Sequence, residues 1–177
     1  MPRIMGLNVV AVLAGAVAMY FIGFVIYALL FQDVWMQHTL MNHGLATADE
    51  AAGMTSDALL ARMEDIPAAL NPTVAMSLGF VVSLVTACAI GAVLNLTKPA
   101  SMGAALGRAA VLWIGFAVTT LAYNVVYSSE SPVLFGIDTM HLLLGYLAGA
   151  AVIYAIDGKA VRGDAHLLAC TDDVTAT

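Results

Sequence analysis

Charge is scarce in this chain of 177 residues: Asp, Glu, Lys and Arg together make up 10% of it, against about 25% in ordinary soluble domains. Hydrophobic residues make up 62%. A soluble globule already shows an exterior that is about 55–60% apolar at ordinary composition, so a chain this poor in charge has no means of facing bulk water. Basic residues are scarcer than acidic ones, six against twelve, and the net charge of −6 excludes the cationic footprint of a nucleic-acid binder. The low charge and the mean hydropathy of +0.92 exclude disorder. The two cysteines, Cys88 in an apolar run and Cys170 near the end, give neither a disulfide framework nor zinc-ligand spacing. The chain has no Gly-rich phosphate loop, no HExxH and no Ser-His-Asp order. Enzyme chemistry therefore has little support, and no cofactor is implied.

What the chain has is length without charge. No charged residue interrupts Ile4 to Gln32, Ile66 to Thr97, Ala109 to Ser129, or Thr139 to Ile156, and a membrane helix needs about 20 such residues. The expected fold is all-α, an integral membrane four-helix bundle with spans near 7–31, 73–96, 106–128 and 134–156. Pro72 suits a first helical position, where its missing N–H costs nothing. Lys98-Pro99 and Ser131-Pro132 mark the ends of spans two and three. Residues 1–157 then form the transmembrane domain, with an acidic loop over 33–71, and residues 158–177 form a polar tail.

Lys and Arg collect in cytoplasmic loops. Arg3, Lys98, Arg108, Lys159 and Arg162 all fall on one side of this topology, while Arg62 lies among Asp33, Asp49, Glu50, Asp57, Glu64 and Asp65. Both termini are thus expected to be cytoplasmic and the acidic loop external, in a multi-pass protein of the inner (plasma) membrane. Arg3 with Ala16-Val17-Ala18 imitates a cleavable signal peptide. The apolar stretch runs on unbroken to Phe31, which favours an uncleaved first span.

Within the loop, Thr47 and Glu50 have capping-box spacing. Thr55-Ser56-Asp57 can start a short helix bearing Leu59, Leu60 and Met63. Two readings stand: a helix that caps the bundle or lies on the membrane, and a solvated acidic linker with one helical turn.

Helices in lipid associate through close backbone approach and polar contacts, so small residues should mark the contact faces. Span two carries Ala75, Gly79, Ser83, Ala87 and Gly91 at four-residue spacing. Span four carries Gly145 and Gly149, and span one Ala11, Gly15 and Gly23. Ionisable groups within spans are expensive and face inward. Asp138 and His141, three apart, share a face with Gly145 and Gly149 within an arc of about 80°. On span three, Trp113, Ala117, Thr120, Asn124 and Tyr127 form a stripe. Tyr27 lies at similar depth, and Thr73 and Ser77 enter from span two. The expected outward-facing cluster is Tyr27, Asn124, Tyr127, Asp138 and His141. Three roles are open to it: structural glue in which Asp138 caps span four or bonds Asn124, binding of a ligand or ion, and a catalytic or metal site. His38, His43 and His141 are of a type that suits zinc or copper, but the five-residue gap between the first two puts them on different helical faces, so no metal site is assigned.

Gly23 to Trp35 with Tyr27, Phe31 and Trp35, then Trp113-Ile114-Gly115-Phe116, Asn124, and Phe135-Gly136-Ile137-Asp138 with His141 resemble the bacterial "domain of unknown function 1761" family over residues 7–156. The resemblance implies a small four-helix inner-membrane protein and carries no activity or catalytic residue with it. The function expected is binding or transport of a small polar ligand, ion or proton at the outward cluster, with the lipid bilayer as surroundings, oligomerisation to complete any transport path, and no nucleic acid. The alternative is an accessory or scaffolding subunit of a larger membrane complex.

Overall fold

The computed structural model describes residues 3–4, 6–66 and 72–172. The side chains at 4, 72, 73, 75 and 158–172 fall outside that description, so the expected contribution of Thr73 lies outside the described residues.

The chain opens with a small antiparallel pair, β1 (Arg3–Ile4) and β2 (Leu7–Asn8), turned through Gly6 at φ +82°, a left-handed conformation that glycine adopts without strain. Span one therefore begins two residues later than expected. Buried Asn8 accepts hydrogen bonds from the Val10 and Ala11 N–H groups and so starts α1 (Val9–Phe24). The span continues as a π-helical stretch, Val25–Leu30. A break at Phe31 leads into α2 (Gln32–Asn42), so the chain stays helical well past the expected limit of the span.

Two short helices follow, α3 (Ala48–Ala52) and α4 (Ser56–Met63). The capping box is present: Glu50 Oε2 accepts from the Thr47 N–H at 2.8 Å, and the Glu50 N–H donates to Thr47 Oγ1 at 3.4 Å. Donation to its Oε2 from the Thr47 N–H and from the Thr47 hydroxyl holds the Glu50 carboxyl below its usual range. Met36, Leu40, Leu59 and Ile66 are buried together, with Trp35, Leu45, Met54 and Met63 packed around them. The solvated-linker reading is thereby corrected. Leu59, fully buried, and Met63 face this core, while Leu60 is exposed, because Leu60 lies about 100° around the helix from Leu59, the residue centred on α2.

Helix α5 (Pro72–Thr97) begins on its proline. Ser101 Oγ accepts from the Ala104 N–H to start α6 (Met102–Leu112). A second π-helical stretch, Trp113–Val118, joins α6 to α7 (Thr119–Ser128). Helix α8 (Pro132–Asp172) also begins on proline, with Ser131 Oγ accepting the Val133 N–H, and its backbone stays helical beyond Asp157 into the stretch expected to be a polar tail. Among the described residues four stretches are long and apolar enough to cross a membrane: Val9–Leu30, Met76–Thr97, Met102–Ser128 and Pro132–Asp157.

Helices α1 and α8 form the central pair, with α5 packed chiefly on α1 and α6 on α8. Small residues set the spacing. A Cβ on Gly15 would lie 2.9 Å from Ile153 Cγ1 and 3.3 Å from the Gly149 carbonyl oxygen, and one on Gly149 would lie 2.9 Å from Met19 Sδ. On α5, Gly79 faces Tyr20 and Gly91 faces Val12, as the four-residue ridge implies. The outer faces carry exposed apolar side chains, Leu96 at 81% and Phe116 at 68% among them. That exposure is costly in water and costless in hydrocarbon.

Because the Gly15 position abuts both a β-branched side chain and a backbone oxygen, Gly15→Val should destabilise the protein by about 1–3 kcal/mol through overpacking. Nothing lies within 4 Å of a Cβ at Gly107, so Gly107→Ala should be neutral or stabilising by up to about 1 kcal/mol. Thermal unfolding in detergent distinguishes them. Equal midpoints for the two variants would contradict the close approach of α1 and α8.

Candidate functional site

Tyr27 lies within the π-helical stretch, where the Phe31 N–H reaches back five residues to the Ile26 carbonyl at 2.9 Å. The extra residue in that turn rotates the residues after it relative to a straight helix, and such stretches recur at functional sites. Buried Ile26 and Ile137 adjoin Tyr27 and Asp138 in sequence. Asp138 lies six residues into α8, about 9 Å from its start. With Ser131 in the capping position, Asp138 is free of that duty, and its carboxylate Oδ1 accepts a hydrogen bond from the Tyr27 hydroxyl.

His141, one turn further along, brings Nδ1 to 3.3 Å from the Tyr27 oxygen. A phenol has one proton, and Tyr27 gives it to Asp138. The imidazole can therefore meet that oxygen only as donor, with Nδ1 carrying the hydrogen. In the neutral ring this leaves the Nε2 lone pair pointing along α1, where a Cβ on Gly23 would stand 3.0 Å from Nε2. Gly23 thus supplies the space that the imidazole fills. The Tyr27 and His141 rings meet edge to face with centroids 4.9 Å apart, and Trp35 of α2 covers Tyr27 from above at 6.0 Å. All three polar side chains are partly buried.

The helices between spans one and two are tied to the same end of the bundle. Ser131 Oγ lies 2.9 Å from His38 Nδ1, and the Ser131 N–H donates to Asn42 Oδ1 at 3.2 Å. Behind the trio, Trp113 Nε1 donates to the Thr139 carbonyl at 3.0 Å, so the second π-helical stretch is anchored beside Asp138. Sequence reasoning placed Trp113 on the stripe of span three but missed its bond to the Thr139 carbonyl, because a side-chain to backbone tie between spans leaves no periodic signal.

Of the five residues expected to converge, three do. Tyr27, Asp138 and His141 form a hydrogen-bonded chain. Asn124 and Tyr127 stand exposed on α7, with the Tyr123 and Tyr127 rings 4.2 Å apart. Among the described residues no hydrogen bond joins Asn124 or Tyr127 to the trio, so the Asn124 to Asp138 bond, one form of the structural-glue role, is not among them. The π-helical stretch explains the difference, because one extra residue upstream swings the α7 stripe by about 100° from its straight-helix position. His38 is engaged with Ser131, and His43 ends α2. Among the described residues no three metal-ligating side chains converge.

Chemically, the trio is a carboxylate, a phenol and an imidazole in series, a path along which a proton can be held or passed. Tyr27→Phe removes the donor to a partly buried carboxylate and should cost about 1–3 kcal/mol, whereas Tyr127→Phe, at an exposed hydroxyl, should stay within about 0.5 kcal/mol. Thermal unfolding in detergent reads both, and equal losses would contradict the separation of Tyr127 from the trio.

No match to the chain was found among curated proteins or among solved structures. The sequence model of one family does match, over residues 10–154, a stretch that takes in all but the outermost residues of the four spans. The chain therefore belongs to the family described as "Protein of unknown function (DUF1761)".

Proposed function

We propose that this protein binds a proton, a small cation or a small polar ligand at the Tyr27, Asp138 and His141 trio, in the outward half of a bacterial inner membrane with both termini cytoplasmic. The orientation rests on the basic residues, five of whose six lie on the Arg3 side. The observation that carries the reading is the hydrogen-bonded Asp138 carboxyl inside an apolar span. Ionisable groups in that setting mark ion paths and proton relays. Proton binding uses the series directly: a proton arriving at the Nε2 lone pair of His141 is balanced by the Asp138 charge two hydrogen bonds away. A cation or polar solute would instead take the Asp138 oxygens, with Tyr27 turning its hydroxyl aside.

Infrared difference spectra between acid and neutral pH test this without knowledge of a solute. The carboxyl band of the wild type should contain a component that vanishes in Asp138→Asn and shifts in Tyr27→Phe. Spectra identical in all three proteins would sink the proposal.

A second reading, an accessory subunit or self-associating protein, is favoured by the α7 face. Asn124 is exposed about 6 Å from the end of the span, beside the exposed Tyr123 and Tyr127 pair, and membrane helices use such amides to bond across interfaces. Native mass spectrometry of the protein extracted with its surrounding lipid should then show a species larger than the monomer that Asn124→Leu dissociates. A monomer in both samples rejects that reading.

A further inference from the structure

At the end of the bundle opposite the trio, α5, α8 and the N-terminal hairpin enclose a cavity of about 460 Å³, within the range of small-molecule sites. Its floor is apolar, formed by Gly91, Leu94 and Ile153, and its rim carries Arg3, Asn95 and Lys98. Asp157 also stands on the rim, and Arg3 Nη2 is 2.6 Å from its Oδ1. Arg3 Nη1 donates to the Gly6 carbonyl at 3.1 Å. The Arg3 charge is thus balanced by Asp157, which leaves Lys98 as the surplus cation. Lys98 closes α5 at φ 42°, and its ammonium is exposed, with no acceptor within hydrogen-bonding distance among the described residues.

We propose that this cavity is a binding site for the phosphate-bearing headgroup of an anionic phospholipid. Gly91 and Lys98 are seven residues apart on α5, so the floor reaches about 10 Å from the charged rim toward the bilayer centre. A phosphate at Lys98, helped by the Asn95 amide and the unused N–H groups of Arg3, leaves a glycerol and the head of an acyl chain against Leu94 and Ile153. A free phosphate ion uses the rim and gains nothing from the floor. Basic pockets between membrane helices bind anionic headgroups on the same physical grounds.

The experiment uses the full chain in detergent. Native mass spectrometry measures retention of phosphatidylglycerol against phosphatidylcholine, and thermal unfolding is followed with each lipid and with inorganic phosphate. Wild-type protein should retain phosphatidylglycerol preferentially and unfold at higher temperature with it. Lys98→Gln should weaken that preference about fivefold, one surface cation's share, and Lys98→Arg should restore it. Lys98 has no side-chain partner among the described residues, so the Gln variant should keep the fold, and unchanged unfolding without lipid verifies this. Ala100→Phe, which fills the cavity from its edge, should abolish retention while the charge remains. Equal retention of the two lipids, or a preference that survives Lys98→Gln, overturns the proposal. Stabilisation by inorganic phosphate equal to that by phosphatidylglycerol overturns the lipid assignment in favour of a soluble anion.

Discussion

Lipid chains give two apolar helices no hydrophobic reason to meet, so what joins α1 to α8 must come from close approach and from polar groups that lipid cannot serve. Along this one antiparallel seam both are present. At one end Arg3 pairs with Asp157. In the middle Gly15 admits Ile153, and Gly149 admits Met19. At the other end Gly23 makes room for His141, and Tyr27 donates to Asp138. The glycine contacts set the distance at which the polar groups can bond, and the polar groups set the register at which the glycines face their partners. The remaining spans rest on this pair, α5 against α1 and α6 against α8.

A backbone in hydrocarbon must satisfy its own hydrogen bonds, yet two spans contain π-helical stretches that loosen the ladder. In span three the compensation is visible. Thr119 Oγ1 donates to the Gly115 carbonyl at 2.8 Å, and Thr120 Oγ1 donates to the Phe116 carbonyl at 2.7 Å. The Trp113 indole reaches across to the Thr139 carbonyl from the same stretch. In span one the stretch holds Tyr27, and the helical segment that follows brings Trp35 over its ring. Departures from regular helix therefore coincide with the two places where a neighbouring span contacts the turn of α8 that carries Asp138.

The helices between spans one and two act as a lid with a core of their own rather than as a tether. Leu40 and Leu59 are fully buried within it, and His38 and Asn42 clamp Ser131, the residue that starts α8. The lid and the polar trio thus share one structural origin, the first three turns of α8. The cavity at the far end lies outside this arrangement and sits where the seam meets the charged boundary of the spans.

Much of this could be read without coordinates. The charge-free runs determined four spans because hydrocarbon tolerates nothing else over that length, and the prolines at 72 and 132 marked two helix starts because they lack the N–H that a helix start does not need. The small-residue ridges and the Asp138 and His141 face followed from the helical repeat alone. The tertiary structure decided which residues joined that face. Asn124 and Tyr127 follow the straight-helix stripe in sequence, but a π-helical turn adds a residue upstream and carries them to the exposed side. That turn is stabilised by contacts to a different span, so no local pattern announces it. The lid core was hidden for a similar reason: Met36, Leu40 and Leu59 become one cluster only when α4 folds back on α2. Solvent and span count are set by composition along the chain, whereas the site depends on rotations and returns that only neighbouring helices impose.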